Sequence, residues 1–310
     1  MKQFRLGQLA SDKSELVENQ MYICIIVVLI LVLAIIVCSL VLNRIMFQTV
    51  KAVNQQNCHE RYTDKNSRFS FKSGKNLLNG YIYGADNKAG IVIMSHGMGV
   101  TSDYYIPEAL WLAEHGYMVM TFDNTAYRDN PGCFRGILQA VYDLKAAVRY
   151  AEQYGLPITL FGHSMGGYAV CAVLNYSDVI VDRVVSVAGF ATIREIIHSY
   201  AVLNIKRLSP LVEFLILIAQ FIYFGKLNKF SAIDGINKSE SKILIAQGKN
   251  DEEVLCDTVS IFCKQEALRK SNIKCLLFDN GIHSTHMGII RGDADLIINE
   301  DLLRNVIENE

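Results

Sequence analysis

The sequence predicts an α/β protein in which helices cover both faces of a mostly parallel sheet, attached to one N-terminal transmembrane helix. Two patterns indicate this architecture. Short segments that are apolar throughout alternate with longer amphipathic segments, as expected for strands buried on both faces between helices. The other pattern is an unbroken apolar run, Met21–Leu42, which contains no charged residue, Pro or Gly. A chain of 310 residues leaves room for one sizeable domain after that run.

The apolar run is long enough to cross a bilayer. At 1.5 Å per residue, a helix over Met21–Leu42 would extend about 33 Å. A cleaved signal peptide has a shorter apolar core and a small-residue cleavage site, so the run is predicted to be a membrane anchor. The predicted organisation is therefore a polar N-terminal tail (1–20), a transmembrane helix (21–42), a polar and irregular stalk (43–66) and a globular domain (67–310).

The orientation of the anchor follows from the segments that flank it. Three basic residues lie on each side of the run at similar distances, so the positive-inside rule gives nearly equal counts. The short tail favours an uncleaved signal anchor with the large domain outside the cytoplasm, whereas free cysteines favour the opposite. We predict the extracytoplasmic orientation.

Charge and cysteine content argue against a nucleic-acid partner, a zinc site and a disulfide framework. The 30 basic and 31 acidic residues nearly balance, and no basic cluster carries interleaved aromatic residues, so no nucleic-acid partner is predicted. The eight cysteines show no CxxC pair or regular spacing, which argues against a zinc site and a disulfide framework.

The globular domain is predicted to begin with a hairpin and to continue with alternating strands and helices. The hairpin pairs Arg68–Lys72 with Leu77–Tyr83 across a Ser-Gly-Lys-Asn turn. Further strands are predicted at Gly90–Ser95, Tyr117–Phe122, Ile158–Phe161, Arg183–Ala188, Lys242–Ala246 and Ile273–Phe278. Helices are predicted near Pro107–His115, Phe134–Tyr154, from Ser164 onward, Val254–Lys270 and Ala294–Ile307.

An insertion over residues 190–240 interrupts this alternation. Within it, Leu211–Phe224 is strongly apolar but contains Glu213 and Gln220, and it is too short for a second membrane span. We interpret it as a cap helix over the active site or a helix lying in the membrane interface. A core helix of the main domain is the alternative.

The segment Ile158–Gly167 (ITLFGHSMGG) carries the candidate nucleophile. A buried strand ends at Gly162-His163-Ser164-Met165-Gly166, which has the G-x-S-x-G spacing of a sharp strand-to-helix turn. Such a turn exposes the central hydroxyl and aims the first amides of the helix at any negative charge beside it. Ser164 is therefore predicted to be catalytic, the alternative being an ordinary loop serine.

A serine nucleophile needs a histidine base and an acid that orients it. His283 and His286 follow the last predicted strand, from which a loop can return to the serine, and His283 is favoured because it is nearer the strand end. The other five histidines are assigned to loop motifs, the stalk, a helix end and the insertion, and they are His96, His163, His59, His115 and His198.

Asp251 is the candidate acid. It directly follows the Lys242–Gln247 strand, so it would project from the edge of the sheet where open α/β folds bind ligands. A helix N-cap before Val254 is the alternative role for this aspartate. The rival acids are Glu252, Glu253 and Asp279, whereas Asp123 and Asp143 are assigned to loop and helix structure.

Two backbone amides are predicted to bind the oxyanion of the tetrahedral intermediate. One is the amide of Met165, immediately after the serine. The other is the amide of Met98 in His96-Gly97-Met98-Gly99, where the glycines allow close approach of the backbone.

Taken in order, HGMG, GHSMGG, GKNDEEV and GIH resemble the motifs of the α/β-hydrolase superfamily, particularly its esterase, monoacylglycerol-lipase-like and serine-aminopeptidase-like members. The resemblance runs from Arg68 to the C-terminus. It implies an α/β-hydrolase fold with a cap after the sixth strand and no cofactor or metal. It also implies Ser164 as nucleophile, Asp251 as acid, His283 as base, and the Met98 and Met165 amides as oxyanion hole.

The motifs and the anchor together predict a membrane-anchored serine hydrolase that cleaves carboxylic esters through an acyl-enzyme. The apolar insertion makes lipid-like acyl esters the expected substrates. Peptide or amide cleavage and thioester hydrolysis are alternatives, because the triad is common to them and the pocket decides. A catalytically silent binding module with the same fold is the alternative outside the enzyme class.

Overall fold

The computed structural model describes residues 2–48, 58–269, 271–283 and 298–308. Within these ranges, eight strands form one sheet. In chain order they are β1 (Asn66–Ser73), β2 (Asn76–Tyr83), β3 (Ile91–Ser95), β4 (Met118–Phe122), β5 (Ile158–His163), β6 (Arg183–Val187), β7 (Lys242–Gly248) and β8 (Ile273–Phe278).

The sheet is mixed only at one end. Its strand order is β1-β2-β4-β3-β5-β6-β7-β8, with β1 and β2 forming an antiparallel hairpin that pairs antiparallel to β4. The strands β3 to β8 are mutually parallel. The predicted mostly parallel sheet is thus confirmed, and the carboxyl ends of β3, β5 and β7 meet at one edge.

Helices lie on both faces of the sheet, and strand residues alternate between them. In β3, Ile91 and Ile93 pack in the cluster that contains α3 and α4 residues, whereas Val92 and Met94 pack with α2 and α8. The helices are α1 (Lys2–Gln48), α2 (Ile106–Glu114), α3 (Leu138–Ala151), α4 (Met165–Ala172), α5 (Ile193–Ile205), α6 (Ser209–Phe224), α7 (Ala232–Lys238) and α8 (Glu300–Ile307).

Between β6 and β7 the chain forms the cap, which comprises α5, α6 and α7. The helix predicted over Leu211–Phe224 is confirmed as α6. Within the described part of the chain, α6 packs mainly against α1 and α5 rather than on the sheet, which argues against a core helix. Among the residues that the structure describes, two stretches are apolar and long enough to cross a membrane by length and composition, Asn19–Phe47 and Ile193–Lys229. The second is broken at Lys206, where φ is 51°, so α5 and α6 are separate helices packed on each other.

The helix predicted over Val254–Lys270 is wrong for most of its length. A short 3-10 helix covers Phe262–Ala267, and the residues before it form turns. The reason is a pairing with the chain that follows β6. The amide of Ala191 donates to the Val259 carbonyl, and the amide of Ile261 donates to the Gly189 carbonyl, each at 2.8 Å. This local strand-like pairing removes the backbone groups that a helix would need.

The N-terminal region also differs from the prediction. The helix α1 begins at Lys2, within the predicted polar tail, and it continues to Gln48, beyond the point where an irregular stalk was expected. Asn43 and Phe47 are buried, because one face of α1 packs against the cap. A 3-10 helix covers Cys58–Tyr62, and residues 49–57 lie outside the described ranges.

Candidate active site

Ser164 lies in the sharp turn between β5 and α4. Its backbone has φ 56° and ψ −117°, a strained conformation for a residue with a side chain. The Ser164 amide donates to the Val187 carbonyl at 2.9 Å, which holds the turn against the end of β6. The strain therefore fixes the direction of the hydroxyl at the carboxyl edge of the sheet.

The two glycines of the G-x-S-x-G motif are required because any side chain at these positions would overlap neighbouring backbone atoms. A Cβ on Gly162 would overlap the backbone of Gly166, and a Cβ on Gly166 would overlap the carbonyl of Ser95. Because both collisions are with backbone atoms, no rotamer change relieves them. The motif thus packs the start of α4 directly against the end of β3.

His283 contacts both of its predicted partners. Its Nε2 lies 2.9 Å from Ser164 Oγ, and its Nδ1 lies 2.9 Å from Asp251 Oδ2. A carboxylate only accepts, so Nδ1 carries the proton and Nε2 is left to accept from the serine hydroxyl. All three side chains are largely buried. This arrangement can transfer a proton from serine to histidine and stabilise the imidazolium that forms.

Asp251 is held from several directions. Its Oδ1 accepts from the amides of Glu253 and Val254 at 3.0 and 2.7 Å, and its Oδ2 accepts from the side chain of Gln247 at 3.0 Å. The first two bonds are those of a cap on the following turn, so the capping role and the contact with His283 coexist in one carboxylate.

None of the described rival acids contacts Nδ1 of His283. Glu252 is exposed, and Asp279 is exposed beside Lys249. Glu253 has an oxygen 3.5 Å from His283 Nε2, on the side of the imidazole that faces the serine rather than on the Nδ1 side. His286 lies outside the described residues.

The two predicted oxyanion donors belong to two segments that adjoin Ser164, the start of α4 and the loop after β3. Met165 is the first residue of α4, so its amide has no partner within the helix. A Cβ on Gly97 would stand 3.4 Å from Ser164 Cβ, which places the loop after β3 against Ser164. Within that loop the Gly97 amide donates to the Tyr105 hydroxyl and the Gly99 amide to Tyr127. Among the described residues, the Met98 amide has no hydrogen-bond acceptor.

A hydrogen-bond chain that was not predicted from the sequence joins the loop after β3, the end of β5 and the loop after β8. The Gly97 amide donates to the Tyr105 hydroxyl at 3.1 Å, and this hydroxyl donates to His163 Nδ1 at 3.0 Å. His163 Nε2 then donates to the carbonyl of His283 at 2.8 Å. His163 was assigned only to the backbone motif, and nothing in the local sequence pairs it with Tyr105.

Burial, and to a smaller extent the proximity of His283, lower the pKa of His163 to about 3. An exposed histidine has a pKa of about 6.5, so between these values the unfolded chain binds a proton that the folded chain does not. The contribution of neutral, buried His163 to the free energy of unfolding is therefore complete above about pH 6.5 and decreases as the pH falls below that value. The loss is at most about 1.4 kcal/mol per pH unit for each such histidine.

We therefore expect the free energy of unfolding to fall less steeply on acidification in His163→Asn than in the natural chain. Urea unfolding at a series of pH values from 7 down to 5, followed by the fluorescence of Trp111, measures both slopes. His96, whose pKa is also lowered by burial, is retained in both proteins and cancels in the comparison. Equal slopes would contradict a neutral, buried His163.

Two buried aspartates have the structural roles predicted for them. Asp143 accepts from the Ser73 hydroxyl and the Thr125 amide, which ties the β1–β2 hairpin and the loop after β4 to α3. Burial raises the pKa of Asp143. Asp123 accepts from the Ser102 amide and from Arg128 Nε at 2.8 and 2.7 Å. In the part of the chain that the structure describes, no cluster of three or more His, Cys, Asp or Glu could hold a metal ion.

The cap reaches the site through α5. The Tyr200 hydroxyl donates to Glu253 Oε2 at 3.4 Å, and the same oxygen lies beside His283. Glu213, the one acid within the apolar α6, is paired with Arg194 at 3.1 Å and His198 at 2.7 Å on α5. The cap is thus a connected unit with one end beside His283.

Comparison with known proteins identifies the family model that describes this chain. The model "Serine aminopeptidase, S33" matches residues 86–301, which is more than half of the chain and includes all five predicted site residues. No curated protein sequence matches the chain.

Solved structures show the same fold at low sequence identity. The Pyrococcus furiosus esterase Pf2001 is 17% identical over 76% of this chain and 90% of its own, with a TM-score of 0.56. Est1E from Butyrivibrio proteoclasticus, solved with ferulic acid bound, is 18% identical over 69% and 90%, with a TM-score of 0.54. An acylaminoacyl peptidase from Pyrococcus horikoshii is 17% identical over 75% of this chain and 40% of its own, with a TM-score of 0.54.

Proposed function

The chain belongs to the serine aminopeptidase S33 family of α/β-hydrolases, and from this we propose that it is a membrane-anchored serine hydrolase that cleaves carboxylic esters through an acyl-enzyme. The observation that carries the proposal is the pair of 2.9 Å contacts that link Ser164 Oγ, His283 and Asp251. Ser164 is the proposed nucleophile, His283 the base and Asp251 the acid.

In the proposed reaction, His283 Nε2 takes the proton of the Ser164 hydroxyl as Oγ attacks the ester carbonyl. Asp251 stabilises the resulting imidazolium through its bond to Nδ1. The imidazolium then gives its proton to the leaving alcohol, and an acyl group remains on Ser164. A water molecule activated by the same imidazole releases the acid and restores the serine.

The amides of Met98 and Met165 are the proposed donors to the oxyanion. Each such preorganised donor typically contributes about 3 kcal/mol to lowering the barrier. Occupation of the neighbouring Gly97 and Gly99 amides by tyrosine hydroxyls supports Met98 as the donor from this loop. The oxyanion would then lie between the end of β3 and the start of α4.

We propose esters with apolar acyl groups as the substrate class. The cap, which reaches the proposed triad through α5, includes the strongly apolar α6, whose one charged residue, Glu213, is itself paired. One of the similar structures, Pf2001, is described as an esterase, which supports the choice of esters. The description of the family as aminopeptidases favours peptide cleavage as the second candidate.

A panel of substrates separates the two candidates. We expect p-nitrophenyl esters to be hydrolysed with a kcat/KM that rises with acyl chain length, and aminoacyl p-nitroanilides to be poor substrates. Longer chains gain about 0.8 kcal/mol for each methylene group buried, or about fourfold in kcat/KM per methylene until the pocket is full. Faster turnover of the aminoacyl anilides would favour the peptidase, with the same triad.

We also propose that α1 anchors the enzyme in a membrane with the catalytic domain on the extracytoplasmic side. Between Met21 and Ile35 every side chain of α1 is exposed, although nearly all are apolar. Such a surface is stable in contact with lipid rather than water.

A further inference from the structure

The helix α6 is apolar on two opposite faces. Its inner face buries Ile216 and Ala219. On its outer face Leu211, Phe214 and Phe221 are 55%, 55% and 60% exposed. Their spacing of three and seven residues places them on one stripe. Large apolar side chains are rarely exposed to water in a continuous stripe, so the outer stripe indicates contact with another apolar phase.

The stripe lies on the helix that contacts the anchor. Ser39, Asn43 and Phe47 are buried at four-residue spacing, which defines the face of α1 that packs against α6. Asn43 Oδ1 accepts from the Gln220 side chain at 2.7 Å, and both side chains contact the carbonyl of Arg135. These buried polar bonds fix α6 beside the end of α1.

The length of the span determines the depth of this contact. A hydrocarbon layer of about 30 Å needs about 20 helical residues, which from Met21 reaches about Leu40. The fully exposed part of α1 ends at Ile35 and covers only about 22 Å. The segment that completes the crossing therefore includes Ser39, which is already packed against the domain. The neighbouring α6 then lies at the depth of the adjacent leaflet.

The charges of the cap match a lipid surface. From Ile193 to Lys229 there are five lysines and arginines and two glutamates, in a chain whose net charge is −1. Glu213 is paired with Arg194, so it brings no free carboxylate to the apolar stripe. Lys206 and Arg207 adjoin the exposed Leu208. Basic side chains beside apolar ones are the composition that anionic headgroups attract.

We infer that the outer stripe of α6, namely Leu211, Phe214 and Phe221, is a bilayer-docking surface that inserts into the leaflet beside α1. This inference rests on the proposed membrane anchoring. The same cap contacts Glu253 through Tyr200, next to His283, so insertion brings the entrance of the site to the lipid surface. An acyl ester then passes from the leaflet to Ser164 along the cap without crossing water.

Single tryptophans test the depth of the stripe in the full-length protein. Trp111 is the one natural tryptophan and is replaced by phenylalanine. Phe214→Trp and Phe221→Trp are each made in that background and reconstituted in vesicles of phosphatidylcholine and phosphatidylglycerol with brominated acyl chains. The matched control is Ile180→Trp, because Ile180 is apolar and 82% exposed on a loop before β6, at the opposite edge of the sheet. Leu29→Trp reports the anchor itself.

We expect the tryptophans at 214 and 221 to lose about half of their emission to bromines near the headgroup end of the chain, because interfacial apolar faces lie about 5–10 Å deep. The tryptophan at 180 should be unaffected. Quenching at 29 without quenching at 214 and 221 would overturn the inference and leave the anchor intact. A blue shift at 214 without quenching would assign the stripe to a second copy of the chain and would overturn it too. Absence of quenching at 29 would instead refute the anchor, and with it the basis of the inference.

Discussion

Replacing Ser164 by alanine is expected to lower kcat for ester hydrolysis by about 10⁴- to 10⁶-fold, the range seen when a serine-triad nucleophile is removed. The Oγ atom contacts His283 Nε2 and is the atom that would bond the acyl group, so no acyl-enzyme can form without it. The substitution removes one oxygen from a largely buried site and leaves the glycine packing of the turn unchanged. The kinetics of p-nitrophenyl ester hydrolysis measure the loss.

Ser177→Ala is the matched control for this substitution. Ser177 is exposed and lies beyond the far end of α4, away from the carboxyl edge of the sheet. Surface substitutions usually change stability by less than about 0.5 kcal/mol, so its kcat should stay within about twofold of the natural enzyme. A Ser164→Ala enzyme that keeps a comparable kcat would rule out Ser164 as the nucleophile.

His283→Ala is expected to lower kcat by a similar factor, about 10⁴- to 10⁶-fold, because members of a triad act as a unit. The substitution removes the group that bridges Ser164 Oγ and Asp251 Oδ2 and leaves the buried Asp251 carboxylate without one of its donors. We therefore also expect a lower midpoint of thermal unfolding, by an amount that His283→Gln partly restores without restoring kcat.

His286→Ala is the matched control, since the two histidines follow the same strand three residues apart. It should retain most of the activity. The opposite pair of results, with His283→Ala active and His286→Ala inactive, would move the base to His286.

Features that depend on local spacing were predictable from the sequence. The G-x-S-x-G turn is an example, because Gly162 and Gly166 are required by collisions between backbone atoms a few residues apart. The apolar strands were predictable for a similar reason, since a strand that is buried on both faces shows an uninterrupted apolar run. Chain order then limited the partners of Ser164 to the loops after β7 and β8.

Features that depend on long-range contacts were not predictable. The segment after Val254 has a helical pattern, yet it pairs with Gly189 and Ala191, which lie far away in the sequence. The docking of Asn43 on Gln220 joins residues 177 positions apart, so the polar stalk gave no sign of it. The same holds for Tyr105, which reaches His163 and the Gly97 amide only once the sheet has formed.

The choice among three neighbouring acids shows the limit of prediction from sequence within a single loop. Asp251, Glu252 and Glu253 are consecutive, and sequence position favours the first without excluding the others. In the structure the Asp251 side chain bonds Nδ1 of His283. Glu252 and Glu253 are both exposed, and an oxygen of Glu253 lies 3.5 Å from Nε2. Their different directions follow from the turn after β7, which the Asp251 carboxylate itself caps.

Labelling with a fluorophosphonate tests the central claim most directly, because this reagent reacts with a serine only when a base and an oxyanion site activate it. The full-length enzyme in detergent should acquire one phosphonyl group, and mass spectrometry of its peptides should locate that group on Ser164. Ser164→Ala should remain unlabelled. A folded enzyme that is never labelled, or a Ser164→Ala variant labelled equally well, would contradict catalysis by Ser164 and favour a membrane-tethered binding module.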